Sequence, residues 1–467
     1  MAPQLRLPLP VLEVIERLRS SGHAAYAVGG SVRDLLAQRD PTDHDVATDA
    51  RPERLLELFP GSRYENRFGT VTAPGPLAGV QITTFRRDHV YGDHRRPNVV
   101  TFTDNLDEDL RRRDFTMNAI AYGGGPGSRD FALVDPTGGR ADIAAQLVRA
   151  VGDPLARFDE DALRLVRAVR LAAKLGFEIE PRTAAAIRAS AGLATILSAE
   201  RVGFEMSRLL AVRPPSRGMR LLGELELLEP LLPELAAQQG VAQNKLPGKD
   251  LWDHTLATAD AAAELAPDDH GLRLAALLHD VGKPATMNEG RFPRHAEVGA
   301  EMARPILDRL AVPRRESERV TRLVAAHMFD FQSGASDAAV RRFIRRVGPD
   351  LVLDVLRLRE ADNIGSGHAG GAGGLDELRD RVMAEFERGS PLTVRELAID
   401  GNELQTALAI SPGPPLGQLL SHLLDLVLTD PARNNPDELI RAARAWLAER
   451  SAAREPQPGR EPPPSLP

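Results

Sequence analysis

From Val28 to Ala50 the chain reads VGGSVRDLLAQRDPTDHDVATDA, and this span gathers the ingredients of phosphate chemistry. Gly29 and Gly30 stand where a strand would run into a helix, and glycines let backbone N–H groups come close to a phosphate at a helix N-terminus. Arg33, one turn into that helix, adds a cationic fork. Downstream, Asp43 and Asp45 flank His44, and in an extended strand residues two apart point to the same face. Two carboxylates brought together repel unless a cation sits between them, and Mg2+ with oxygen ligands is the usual solution where phosphates react. Alone, DPTDHD reads equally as an acidic turn rich in Asp and Pro. The glycine pair, the arginine and the D-x-D at this spacing, with a strand to follow, make the chemical reading specific.

Positioning these groups takes an α/β unit, and the first third of the chain has its signals: the helical pattern VLEVIERLRS, the glycine turn, the helical pattern PERLLELF and the alternating run VQITTF. From about Asp159 onward the periodicity is almost wholly helical, as in EDALRLVRAVRLAAKLGF, RLAALLHDVGK and LGQLLSHLLDLVL. The chain of 467 residues has room for two to four compact units. It has no cysteine, no apolar run of membrane-spanning length and no basic-then-apolar start, which points to a soluble cytoplasmic protein. A formal net charge of −7 argues against nucleic-acid binding unless positive charge is concentrated locally. Arginine is so concentrated, at Arg86-Arg87, Arg95-Arg96, Arg111-Arg112-Arg113, the series Arg164, Arg167, Arg170, and Arg341-Arg342 with Arg345-Arg346. Each cluster by itself reads equally as a solvated helix face. GSGHAGGAGG near Gly365 has the composition of a flexible loop, REPQPGREPPPSLP at the end that of a disordered tail, and no fixed-period repeat is evident.

The GGSVRD block with its following D-x-D resembles the first motif of the class II tRNA nucleotidyltransferases and bacterial poly(A) polymerases of the polymerase-β-like superfamily. Four further blocks agree in order and spacing. RRRDFTMNAIAY (Arg111 to Tyr122) is similar to the family's ribose-selecting motif and DPTGGRADI (Asp135 to Ile143) to its hinge motif. EDALRLVRAVR (Glu160 to Arg170) is similar to its base-recognising motif, and SAERVGFEMSRLL near Glu200 to its helix-supporting motif. The resemblance implies Asp43 and Asp45 as catalytic Mg2+ ligands and Gly29, Gly30, Arg33, Arg113, Asp114, Asp161, Arg164, Arg167 and Arg170 as nucleotide-binding residues. Relatives commonly carry a third carboxylate on a neighbouring strand; VQITTF has none. Physically, Asp114 can accept from a ribose 2′-OH while Arg113 holds the sugar-phosphate end, unless the two merely form an ion pair in a connection. Asp161 and Arg164, three apart, are expected on one helix side. One accepts and the other donates, which suits the amino group and ring nitrogen that C and A share; a surface salt bridge is the alternative. RRDHVYGDHRRPNVV reads as a long mobile loop; in the family this region assists the change from adding C to adding A.

A second constellation lies in the helical part. His254 in LWDHTL, His279-Asp280 in LLHDVGKPAT, His295 in RHAEVGA, His327 in AAHMFD and Asp362 in READNIG occur in an order resembling the HD-domain phosphohydrolases. An aspartate that follows an apolar helix stripe is costly to bury without a cation or donor, and imidazole with carboxylate would ligate a metal. The expected ligands are His254, His279, Asp280 and Asp362 for a second divalent metal such as Ni2+, Mn2+ or Co2+, with His295 and His327 as candidates for another. The site reads either as an active phosphohydrolase or as a relic. Further on, LAIDGNELQTALAISPGPPLGQLLSHLLDLVLTDPARNNPDELI resembles the family's C-terminal helical segment, with Pro414-Pro415 suited to a helix start.

The expected fold is an α+β nucleotidyltransferase head, a mixed sheet with helices, followed by an elongated all-α body that includes an HD domain. The boundaries read as 1–145 for the head, 146–245 for a helical neck, 246–370 for the HD domain, 371–450 for a tRNA-binding tail and 451–467 for a disordered end. The expected activity is template-independent addition of CCA to tRNA 3′ ends from CTP and ATP, dependent on Mg2+, with tRNA as partner and no membrane or obligate protein partner. Poly(A) synthesis or addition of A alone is the alternative within the family. A phosphohydrolase with an RNA-binding head, or an RNA-binding scaffold, is the alternative outside it.

Overall fold

A computed structural model of the protein describes residues 5–66, 69–89, 99–243 and 248–452. The chain starts with the helix Leu9–Ser20, whose Val11, Val14, Ile15 and Leu18 recur at helical spacing and are buried. It then enters the strand Ala25–Val28, an interior strand next to the central one of a seven-stranded sheet among the described residues. The sheet order is Arg63–Asn66, Thr70–Thr72, Val80–Thr84, His44–Thr48, Ala25–Val28, Ala121–Gly124, Ala132–Val134. Only the pair His44–Thr48 with Val80–Thr84 is parallel; the other neighbours are antiparallel. Alternation along the strands gives the sheet two apolar faces. Ala27, Val46 and Ile82 join the core that continues into the helical body, whereas Val28, Ala47 and Ala121 pack with Phe85 and Leu110 on the opposite side. Asp45, two before Ala47, belongs to that opposite side.

The expected mobile loop differs in part. Arg86–His89 and Val99–Phe102 form an antiparallel two-stranded ladder, tied at its base to the helix Leu106–Arg111 because Asp109 accepts from the Arg86 N–H at 3.2 Å. The charged run Arg86-Arg87-Asp88 hid this strand from a hydropathy reading; residues 90–98, which include Arg95-Arg96, lie outside the described residues.

The helical body begins with Pro154–Glu160, N-capped by Asp153. The expected continuous helix through EDALRLVRAVR is broken at Asp161, which is extended (φ −148°, ψ 100°) and accepts the Leu163 N–H at 3.1 Å through its own side chain. A new helix, Leu163–Leu175, then runs to a left-handed Gly176 and packs against the helix Ala199–Leu210. Beyond lie the helices Leu251–Leu265, His270–Leu278, His295–Arg309, Arg314–Ala326 and Val352–Gly365, the first packed along the last. The glycine-rich stretch after Gly365 is pinned where Asn363 donates to the carbonyls of Gly370 (2.8 Å) and Ala372 (3.2 Å). Pro414 opens the helix Pro414–Thr429 as expected. Arg341, read as part of a solvated face, is buried: it donates to the Leu428 carbonyl at 2.8 Å and pairs with Glu385 at 3.0 Å. The last helix, Pro436–Ala452, reaches into the stretch read as a disordered end, whose residues 453–467 lie outside the described ones. Among the described residues no helix is long and apolar enough to cross a membrane.

Candidate functional site

Gly29 caps the helix Gly30–Leu36 with φ +73°, a conformation L side chains rarely adopt. It also needs the space: a Cβ there would lie 3.2 Å from Arg113 Nη1 and 3.5 Å from Asp45 Oδ2. The turn thus sets an arginine and a carboxylate side by side against bare backbone. Asp45 is half-buried and has no hydrogen-bond or ion-pair partner among the described residues. Burial raises its pKa, the negative charge of Asp43 adds to this, and the Arg113 guanidinium opposes it. An unpartnered carboxylate beside a like charge is what a divalent cation would relieve, so the two acids fit Mg2+. On the neighbouring strand the residue in register with Asp45 is Gln81, not a third acid.

Arg113 and Asp114 are held by the connection between the helix Leu106–Arg111 and the strand Ala121–Gly124. Asp109, almost wholly buried, pairs with Arg112 at 2.6 Å and with Arg113 at 3.3 Å. Asp114 Oδ1 accepts from the Phe115 N–H (2.8 Å) and Asn118 Nδ2 (3.2 Å), while its Oδ2 lies 3.0 Å from Arg167 Nη2. Burial would raise the Asp114 pKa, but Arg167 and Arg164 outweigh it and the carboxyl stays below its ordinary value. Asp114, Arg113, Asp45, Gly29 and Arg167 therefore lie close together, Arg167 coming from the helical body and the others from the head.

Arg33 and the base-reading pair are placed otherwise than expected. Arg33 is buried and donates to Asp34 (2.8 Å) and Asn118 Oδ1 (2.7 Å), fastening the glycine-turn helix to the ribose-selecting segment. A guanidinium so enclosed must be partnered by protein. With the helix broken at Asp161, Asp161 and Arg164 do not share a helix side, nor do they form the surface salt bridge. Both oxygens of Asp161 lie 2.8 Å from Arg201 Nη2. Arg164 donates to Glu160 (2.7 Å) and to the carbonyls of Arg157 (3.0 Å) and Arg112 (3.2 Å). Arg170 pairs with the buried Glu205. Sequence reading missed Arg201 and Glu205, which stand four apart on one face of Ala199–Leu210; that i,i+4 charged pair inside the helix-supporting motif was the available signal.

The HD cluster is drier. His254, His279, Asp280, His327 and Asp362 are all buried and His295 nearly so. His254, His279 and Asp280 form one set whose ligand atoms lie within 4.8 Å of one another, and Asp280, His295 and His327 form another. Asp280 joins them, Oδ2 lying 3.1 Å from His279 Nε2 and Oδ1 lying 3.3 Å from His295 Nε2. Asp362 Oδ1 is 3.2 Å from His254 Nε2. The Nδ1 atoms of His279, His295 and His327 each donate to a backbone carbonyl, of Ala276 (2.7 Å), Phe292 (2.8 Å) and Val324 (2.7 Å). A carbonyl only accepts, so in the neutral ring each Nε2 carries a lone pair. Burial pushes the His279 pKa down to about 4, against the pull of Asp280. Burial would raise the Asp280 pKa, yet the imidazoles of His279, His254 and His295 hold it well below the ordinary carboxylate range. Lone pairs aimed at a carboxylate from several sides fit metal ions. Lys283, which the sequence reading passed over, lies with Nζ 2.6 Å from Asp280 Oδ2.

Residues 25–149 match the model of the poly A polymerase head domain, 176–239 that of a probable RNA and SrmB-binding site of polymerase A, and 251–365 that of the HD domain. The CCA-adding enzyme of Geobacillus stearothermophilus is 32% identical over 448 residues, 95% of this chain and 97% of that protein. The chain belongs to the CCA-adding and A-adding tRNA nucleotidyltransferase family. Another relative, the A-adding tRNA nucleotidyltransferase of Deinococcus radiodurans, is 35% identical over 423 residues, 86% of this chain and 91% of that one. Among solved structures, the Bacillus stearothermophilus CCA-adding enzyme in complex with CTP has the same fold, with a TM-score of 0.70 at 30% identity, covering 96% of this chain and 99% of that one. The head and HD domain types of this family member imply dependence on divalent metal.

Proposed function

We propose that this chain adds C, C and A without a template to the 3′ end of tRNA, using CTP and ATP and releasing pyrophosphate. The observation that supports it most is the unpartnered Asp45 carboxylate set against Arg113 at the glycine turn, with Asp43 beside it. Asp43 and Asp45 would hold Mg2+, which supplies positive charge to the attacking hydroxyl and to the departing pyrophosphate. The bare backbone at Gly29-Gly30 admits the triphosphate, and Arg113 and Arg167 flank it. Asp114, kept ionised by Arg167, accepts from the ribose 2′-OH. Asp161 accepts the amino group of C or A once Arg201 releases it, and Arg164 donates to the ring nitrogen. Nucleotide choice then rests on an exchange of protein ion pairs for base contacts. Addition of A alone is a second reading, favoured by the 35% identity to the A-adding relative. The test is to incubate the protein and Mg2+ with tRNAs ending before, within and after CCA, with each nucleoside triphosphate separately and all together. CCA addition yields C, C, A and then stops; A addition extends only tRNA ending in CC; runs of A would indicate poly(A) synthesis.

At the HD cluster, His254, His279, Asp280 and Asp362 are the ligands proposed for one divalent cation such as Ni2+, Mn2+ or Co2+, and Asp280, His295 and His327 for another. The lone-pair arrangement of the three carbonyl-fixed histidines supports this reading. A cation held there supplies water activation for phosphate-ester cleavage, and metal analysis of the purified protein tests whether one is bound.

A further inference from the structure

The connection between the strands Ala121–Gly124 and Ala132–Val134 docks on the end of the helix Leu9–Ser20, where the Gly127 N–H donates to the Arg19 carbonyl at 3.3 Å. Between them lies a cavity of about 490 Å3, whose walls include Glu16, Arg19, Ser20, Arg129 and Phe131. Arg19 is buried there. Its guanidinium stands 4.9 Å from the centre of the Phe131 ring and close to Gly124, where a Cβ would come within 3.1 Å of Nη2 and 3.2 Å of Cζ. Nη2 donates to the Asp130 carbonyl at 3.1 Å, Nε is sealed off without a partner, and Nη1 makes no hydrogen bond among the described residues. Other arginines as deeply buried are compensated. Arg33, Arg164, Arg170 and Arg341 each pair with a carboxylate, and Arg273 donates to the carbonyls of Leu210 and Pro267. A buried guanidinium with one carbonyl and no carboxylate calls for an anion from outside.

The rest of the lining suits a phosphate. Arg129 is exposed on the same cavity and forms no ion pair among the described residues, and the Ser20 hydroxyl makes no hydrogen bond among them. Glu16 is the one carboxylate on the wall, and the two guanidinium charges exceed it. Donors on separate walls match the several oxygens of a phosphate better than the two of a carboxylate. In the strand pair that carries the glycine turn, Ala25 faces Gly124 and Val28 faces Ala121. The cavity adjoins the Gly124 end and the Gly29 turn follows the Val28 end, so about 10 Å of strand separates them. We infer that this cavity binds a phosphate group, free or esterified to a small molecule, at a site separate from the transfer site and from the HD cluster. Arg19 Nη1 and Arg129 hold its oxygens, and Ser20 donates to it from the helix end.

Calorimetric titration of the full chain with inorganic phosphate, and separately with AMP, tests this. Divalent metal is left out to suppress binding at the two acids of the transfer site. Arg129→Gln should weaken binding about tenfold, the usual loss for one charge-assisted hydrogen bond. Arg19→Met should abolish it. Where Arg19→Met does not fold, Arg129→Glu, which reverses the charge on an exposed wall, should abolish it instead. Arg113→Gln should leave the affinity within about twofold, and nucleotide incorporation by Arg129→Gln should match that of the unaltered protein. Tighter binding of AMP than of phosphate identifies an esterified ligand, and binding of phosphate with exclusion of AMP a free one. No binding of either at about 10 mM would overturn the assignment. So would equal affinity in Arg129→Gln and the unaltered protein, or loss of binding in Arg113→Gln with none in Arg129→Gln, which would place the phosphate at the transfer site.

Discussion

The transfer site and the HD cluster both crowd acceptor groups together, and they manage the crowding by opposite means. At the transfer site each acid except Asp43 and Asp45 is matched to an arginine: Asp109 to Arg112 and Arg113, Asp114 to Arg167, Asp161 to Arg201, Glu205 to Arg170. Substrate binding there can proceed by exchanging one ionic partner for another. The HD cluster has little to exchange. Three of its four histidines, His279, His295 and His327, are fixed by backbone carbonyls and, apart from Lys283, the charge facing Asp280 must come from outside. One site is therefore suited to turnover of charged substrates and the other to lasting possession of metal, and substitutions should separate the two.

The largest effect is expected at Asp43. Asp43→Ala should lower nucleotide incorporation by about a thousandfold or more, because metal stabilisation of a transferring phosphoryl group is worth several kcal/mol, and should leave metal bound at the HD cluster unchanged. Steady-state incorporation and metal analysis of the same preparation check both halves. The converse is His279→Ala/Asp280→Ala, which should remove any metal held at the HD cluster and any metal-dependent hydrolysis of phosphate esters while sparing incorporation. Survival of both metal and hydrolysis would show that other residues hold the ion. A third change tests whether the arginine matching is structural. Glu205→Ala leaves Arg170, whose side chain is 9% exposed, without its buried partner, and should cost about 3 kcal/mol of stability in denaturant unfolding. A loss below about 1 kcal/mol would mean that water reaches Arg170 and that the pair is ornamental.

What could be read from the sequence was local. Gly29-Gly30, Asp43 and Asp45 declared themselves because turn, strand and helix N-terminus follow one another within a few residues. The HD residues were recognisable because their order along the chain survives folding. Readings that needed a distant partner failed. Asp161 lies inside an unbroken helical pattern with no glycine or proline, and its break depends on its own bond to the Leu163 N–H and on Arg201, forty positions away. Arg33 seemed free to meet phosphate because its partner Asn118 comes from another strand connection. Arg341 seemed solvated because the carbonyl it caps belongs to Leu428. An arginine's sequence neighbours say little about which carbonyl or carboxylate its long side chain will reach.

The most direct measurement is kcat/KM for all four nucleoside triphosphates on a tRNA lacking its CCA end, for the unaltered protein and for Asp161→Ala. Losing one base-specific contact costs about 1–3 kcal/mol of discrimination, roughly tenfold to a hundredfold. Asp161→Ala should therefore lower CTP and ATP use and narrow their advantage over UTP and GTP by that factor, while Arg201→Ala, which frees Asp161 without removing it, keeps the preference. An unchanged preference for C and A in a folded Asp161→Ala protein would contradict base reading by this residue and leave its pairing with Arg201 as a structural tie.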